Sequence, residues 1–106
     1  MDRAVTEYLL GRLDDFPEGQ GRAFKAGTRT VAVFRSNGKL YALANKCVHK
    51  GASLCEGALS DAGTVVRCPW HNWPFELSTG RHRHDSSERV RTYEVRLQGD
   101  QVILCA

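Results

Sequence analysis

Two short segments, Cys47-Val48-His49 and Cys68-Pro69-Trp70-His71, constrain this chain more than any other feature. Each offers a thiol and an imidazole, and 18 residues lie between His49 and Cys68. Two thiolates and two neutral imidazoles are a complete donor set for a soft-to-borderline metal. A fold that uses them has to carry two loops, from separate stretches of chain, to one place. The N-terminal Met1-Asp2-Arg3-Ala4-Val5-Thr6-Glu7 lacks the apolar stretch of a signal peptide. No apolar run approaches the roughly 20 residues of a membrane helix. A cytoplasmic protein with reduced thiols is therefore expected, and the cysteines read as metal ligands before disulfides.

At 106 residues, 42% of them hydrophobic, the chain has the size of one domain with a modest core. A formal net charge of +3 is too mild for a nucleic-acid partner, and no basic run is interleaved with aromatics. The segment 7–13 is short and β-compatible, and Asp14-Asp15-Phe16-Pro17-Glu18-Gly19 is a turn cluster. Thr30-Val31-Ala32-Val33-Phe34-Arg35 and Leu40-Tyr41-Ala42-Leu43 flank Asn37-Gly38. That dipeptide predicts a hairpin, because a type I′ turn needs φ > 0 at both central residues. From Thr92 to Leu97 the pattern alternates, with Tyr93, Val95 and Leu97 on one face and Thr92, Glu94 and Arg96 on the other. Gly99-Asp100 then turns the chain into Gln101-Val102-Ile103-Leu104. No segment has a helical period. The expected fold is all-β, a single domain over 1–106, with a less regular insert at about 45–76.

The insert carries the chemistry. One Cys and one His from each loop could build a tetrahedral zinc site. They could equally hold a binuclear iron–sulfur cluster in which one iron takes both thiolates and the other both imidazoles. The Cys-X-His spacing is unusual for zinc, whose paired ligands usually stand two to four residues apart. The mixed pairs suit the asymmetric cluster, because each loop then delivers one ligand to each iron.

In this order, Cys47-X-His49 followed by Cys68-X-X-His71 resembles the Rieske [2Fe–2S] motif. The surroundings agree: His49-Lys50-Gly51-Ala52-Ser53-Leu54 and Glu56-Gly57-Ala58-Leu59 resemble the first loop of that family. Cys68-Pro69-Trp70-His71 with Phe75 resembles the second, and Ser78-Thr79-Gly80 the turn after it. The resemblance implies an antiparallel β-sandwich bearing a small cluster-binding subdomain of two loops, with one [2Fe–2S] cluster per chain. Cys47 and Cys68 would bind the buried iron, and His49 and His71 the outer iron near the surface. Gly51 would permit the backbone turn after His49. Asn72 stands where the family often has Gly, and Asn is among the few other residues that enter left-handed conformations readily. The interval between the loops is slightly longer than is commonest in the family, which implies a looser turn near Ser60-Asp61-Ala62-Gly63.

High-potential members of that family carry a disulfide between the loops and place Ser and Tyr hydroxyls on the cluster. In this chain Ala52 and Trp70 stand at the disulfide positions, Trp73 at the Ser position and Phe75 at the Tyr position. A Trp indole can donate a hydrogen bond; Phe75 cannot. Cys55, Cys105, His82 and His84 are expected to be bystanders, the two histidines solvated in a polar loop. Trp70 and Trp73 either shield the cluster or shape a docking patch. Lys46 and Lys50 are expected to be solvated, or to select an acidic partner through salt-dependent association.

The chain resembles a free-standing Rieske ferredoxin, a family that takes electrons from a flavin-dependent NAD(P)H reductase and passes them to a terminal oxygenase. A second resemblance, through His71-Asn72-Trp73 and the segment 90–95, is to the small subunit of an assimilatory NAD(P)H nitrite reductase, whose partner would be a large sirohaem subunit. A structural zinc module for protein interaction is the reading of another class. With few donors to its sulfur atoms, the reduced cluster gains little stabilisation. The expected midpoint lies toward the low end of the roughly −150 to +300 mV span of Rieske centres, with little pH dependence near neutrality. Potentiometric titration checks both. A midpoint above about +200 mV, or a steep slope between about pH 6 and 8, would overturn this reading of the residues around the cluster.

Overall fold

The computed structural model describes residues 6–46, 53–70, 72–85 and 87–106. Cys47, His49, Lys50, Gly51, Ala52 and His71 lie outside the described residues. The elements are strands: β1 (Glu7–Arg12), β2 (Gly21–Ala26), β3 (Arg29–Ser36), β4 (Lys39–Ala44), β5 (Ala58–Ser60), β6 (Val65–Arg67), β7 (Pro74–Glu76), β8 (Thr92–Gln98) and β9 (Gln101–Cys105). Single 3₁₀ turns at Leu13–Asp15 and Leu54–Glu56 are the helical pieces. The all-β expectation holds. Every strand pair is antiparallel, in a six-stranded sheet of order β1-β9-β8-β4-β3-β2 and a three-stranded sheet of order β5-β6-β7.

The Asn37-Gly38 hairpin forms as its sequence demands. Both residues have positive φ, 54° and 76°, and β3 pairs with β4 from Ser36↔Lys39 to Val31↔Ala44. β3 organises the interior. Val31, Ala32, Val33 and Phe34 are all fully buried, as expected for a strand covered on both faces. Alternation sends Val31 and Val33 into one core with Phe16, Ala42, Val102 and Leu104. Ala32 and Phe34 go into another with Leu43, Leu54, Val66, Cys68 and Phe75. The first core fills the large sheet; the second joins it to the small one.

Two elements differ from the sequence reading. Leu97 is 44% exposed although it shares a face with Tyr93 and Val95. It sits at the last turn-side end of β8, opposite Val102 and beside the Gly99 turn, where that face runs out of cover. The segment Ser60–Gly63 is a tight turn, where a looser one was expected. Asp61 and Ala62 are left-handed, at φ 54° and 58°, and the Gly63 N–H donates to the Ser60 carbonyl at 3.1 Å. Side chains of the β3–β4 turn pin it. Ser36 Oγ donates to the Gly63 carbonyl at 2.7 Å, and Asn37 Nδ2 to the Ala62 carbonyl at 2.8 Å. The extra length of the interval is taken up in a contact between the sheets.

Ala62 carries a Cβ in a region that disfavours one by about 1–2 kcal/mol, whereas a glycine gives back about 0.5–1 kcal/mol in unfolded-state entropy. Ala62→Gly is therefore expected to stabilise the fold by roughly 0.5 kcal/mol. Urea unfolding should show a higher midpoint with an unchanged slope; a lower midpoint would contradict the strained turn.

Candidate metal centre

Of the four sequence-predicted ligands, Cys68 is among the described residues. It follows β6 directly, and β7 brings the chain back. The turn between them is closed by its own backbone: the Cys68 N–H donates to the Trp73 carbonyl, and the Asn72 N–H to the Cys68 carbonyl, both at 2.9 Å. Asn72 has φ 60°, the left-handed geometry its side chain tolerates. Arg67 Nη1 donates to the Asn72 carbonyl at 3.3 Å. Cys68 is 1% exposed and packed among Leu54, Val66 and Phe75. Pro69, Trp70 and Asn72, by contrast, are exposed, Trp70 by 66%. One short turn thus has a sheltered thiol at its root and a solvent-facing tip.

The first loop is held by its stem. β4 ends at Ala44, and Asn45, buried, clasps the chain on either side of residues 47–52. Its N–H donates to the Thr30 carbonyl at 3.0 Å, its carbonyl accepts from the Leu54 N–H at 3.3 Å, and its Oδ1 accepts from the Cys55 N–H at 2.8 Å. Lys46 and Ser53 form an antiparallel bridge. Asn45 is the structural residue that the sequence reading missed. Its only signal was a polar side chain between an apolar strand and a cysteine loop. A buried amide is stable there because its oxygen and its backbone groups are all partnered.

The two stems are joined through Gly57. Ala58 pairs with Arg67, the residue before Cys68. A Cβ on Gly57 would lie 2.2 Å from the Arg67 carbonyl oxygen, so only glycine permits the approach.

The two tryptophans differ in exposure. Trp70 is exposed, whereas Trp73 is half-buried and packs on Phe75 (6.4 Å between ring centroids) and His82 (4.8 Å, edge-on). Phe75 is fully buried and offers no donor. His82 is a correction to its expected solvation. It is half-buried against Trp73 and Phe75, and its Nδ1 accepts from the His84 N–H at 3.0 Å. The backbone bridge Phe75↔His82 brings it there, as the chain folds back on itself after β7. His84 is exposed, as expected.

Cys55 and Cys105 are free thiols. Burial pushes the Cys55 thiol up, Glu56 adds to the rise, and the bond with Asn45 opposes it. Cys55 thus stays protonated near neutrality. Arg96 Nη1 donates to Cys105 Sγ at 3.0 Å at the end of β9. Lys46 is exposed. Among the described residues no group of three or more His, Cys, Asp and Glu side chains is gathered for a metal. The other three expected ligands, Cys47, His49 and His71, lie outside them. A thiol buried at the root of a turn with an exposed tip fits a cluster that has one sheltered and one outward iron.

Comparison with known proteins gives the same direction. The family model for the Rieske [2Fe-2S] domain matches residues 6–94. The ferredoxin subunit of anthranilate 1,2-dioxygenase from Burkholderia cepacia is 36% identical over 96 residues, covering 90% of this chain and 87% of that protein. Among solved structures, the ferredoxin of carbazole 1,9a-dioxygenase from Nocardioides aromaticivorans IC177 superposes with a TM-score of 0.86 at 28% identity, over 93% of this chain and 96% of its own. A ferredoxin in complex with the reduced oxygenase of carbazole 1,9a-dioxygenase matches with a TM-score of 0.82 at 28% identity, over 92% and 91%. A Mycobacterium tuberculosis protein named as an NADH-dependent nitrite reductase small subunit has a TM-score of 0.91 over 98% and 97% of the two chains. At 22% identity that is a likeness of fold. The chain spans 16% of the length of apoptosis-inducing factor 3 from mouse, with 34% identity over 101 residues, or 94% of this chain.

The Gly57 contact makes a separable prediction. Gly57→Ala forces backbone apart and should lower stability by about 1–3 kcal/mol, together with the iron retained per chain. Gly99→Ala, at φ 65° with open space around it, should lower stability by roughly 1 kcal/mol and leave iron content unchanged. Iron assay beside thermal melts distinguishes the two. Equal iron retention in both variants would remove Gly57 from the metal centre.

Proposed function

Because the chain belongs to the Rieske [2Fe-2S] domain family, we propose that it is the electron-carrying component of an oxygenase system, holding one cluster on Cys47, His49, Cys68 and His71. When bound, the cluster supplies a one-electron couple. Everything else is the work of the chain. Cys68 offers a thiolate from an apolar interior, which keeps water from that side of the centre. Asn72 and the paired backbone bonds fix the turn without help from the metal. Phe75 gives the centre an apolar backing with no hydroxyl, consistent with a low potential. Exposed Pro69, Trp70 and Asn72 make the tip the side where a partner can approach. Imidazole ligands there, on His49 and His71, would put the outward iron within reach of a second redox centre.

The observation that carries this reading is the buried thiol of Cys68 at the root of the exposed turn. The proposed partners are a flavin-dependent NAD(P)H reductase as donor and a terminal oxygenase as acceptor, by analogy with the ferredoxins of dioxygenase systems. A cytoplasmic setting agrees with the reduced thiols; among the described residues no helix is long and apolar enough to cross a membrane. The nitrite reductase reading draws support from the fold shared with the mycobacterial protein. It would require a stable complex with a large sirohaem subunit.

Cys55→Ser and Cys105→Ser are expected to purify coloured, with iron and acid-labile sulfide in equal amounts. Cys68→Ser should lose most of both while Cys55→Ser keeps its Rieske-type EPR signal after dithionite reduction. A colourless wild-type protein containing zinc would overturn the cluster.

A further inference from the structure

The charges of the large sheet are sorted by end. The Asn37 and Gly99 turns lie at one end of it, with Asp14, Asp15, Glu18, Asp61 and Asp100 around them. Most have an arginine in attendance: Arg12 pairs with Asp100, Arg35 with Glu18 and Arg83 with Asp61. The other end is where β4 runs out into Asn45 and Lys46, roughly 20 Å away along β8. There the exposed cations include Lys25, Arg29, Lys46 and Arg91. Among the described residues no carboxylate lies within ion-pair distance of any of them. The carboxylates at this end of the sheet, Glu7 and Glu94, face Arg96 instead.

Tyr93 gathers the cations. The Arg91 guanidinium lies 5.4 Å from its ring centroid and that of Arg29 6.0 Å, both within cation–π range. Beside the ring is a cleft of about 280 Å³, bounded by Thr28, Arg29, Thr30, Asn45, Lys46 and Tyr93. Positive charge, hydroxyl donors and an aromatic anchor are thus collected one residue before Cys47.

We propose that this end of the sheet is a docking surface for the acidic face of a redox-partner protein, seated on Arg29, Lys46 and Arg91 around Tyr93. Charge complementarity selects the occupant. The unneutralised positive end coincides with the stem of the first cluster loop. An acidic partner is therefore drawn in with the electron-exchanging end foremost. The inference rests on the carrier function but concerns these residues alone.

Two haem proteins of opposite charge serve as probes. Stopped-flow oxidation of the dithionite-reduced holoprotein passes one electron to each ferric haem, giving ferrous haem and the oxidised carrier. With acidic cytochrome b5 the rate is expected to fall roughly tenfold as salt rises from low to physiological ionic strength. With basic cytochrome c it should stay level or rise. Arg29→Gln/Arg91→Gln should slow cytochrome b5 reduction several-fold and spare cytochrome c; Lys46→Gln should add to the effect. Surface plasmon resonance on immobilised cytochrome b5 gives a second readout, in which the double variant should bind several-fold more weakly with an unchanged thermal midpoint. Salt-independent rates, equal slowing of both cytochromes, or unaltered binding by the double variant would overturn the surface. Loss of iron and sulfide from the wild-type protein would overturn the carrier function instead. The binding arm still decides the surface in that case.

Discussion

The centre depends on one backbone contact. Gly57 lies so close to the Arg67 carbonyl that no side chain fits between them, and Ala58 pairs with Arg67 directly afterwards. The segment leaving the first loop is thereby fixed against the residue that enters the second. A four-ligand site on two loops is highly sensitive to their separation, because metal–ligand lengths tolerate only a few tenths of an ångström. Paired backbone sets that separation more rigidly than side-chain packing does, since each strand fixes both hydrogen bonding and spacing at about 4.8 Å.

The remaining supports act on one loop each. Asn45 uses its amide and its backbone to hold the entrance and exit of the first loop. The second loop needs no such clasp, because its six residues close on themselves through Cys68, Asn72 and Trp73. His82 then wedges Trp73 and Phe75 from behind. This aromatic group is thus assembled from the end of the second loop and the segment around His82.

The sequence was most informative where the physics is local. β-rich apolar runs located β3, β4 and β9, period-two alternation located β8, the demand for positive φ located the Asn37-Gly38 turn, and the family resemblance marked Asn72 as a left-handed position. Donor chemistry and spacing singled out Cys68 before any fold was known. The small sheet was harder to see, because three-residue strands such as Val65–Arg67 are too short to show a period. β2, with its charged and small residues, also lacks a strand-like composition. What stayed invisible was set by contacts between separate segments: the place of His82, the clasp of Asn45, and the docking of the Ser60–Gly63 turn on the β3–β4 hairpin. None of these follows from neighbours in sequence.

β3 has one more consequence. Its odd residues, Val31 and Val33, face a core that belongs to the large sheet, and its even residues, Ala32 and Phe34, face the core that encloses Cys68. Parity along a single strand therefore separates two kinds of selection. Substitutions at odd positions are felt as folding stability, and those at even positions reach the wall of the redox centre. A lineage can retune one without rewriting the other, although the four side chains are consecutive in the chain.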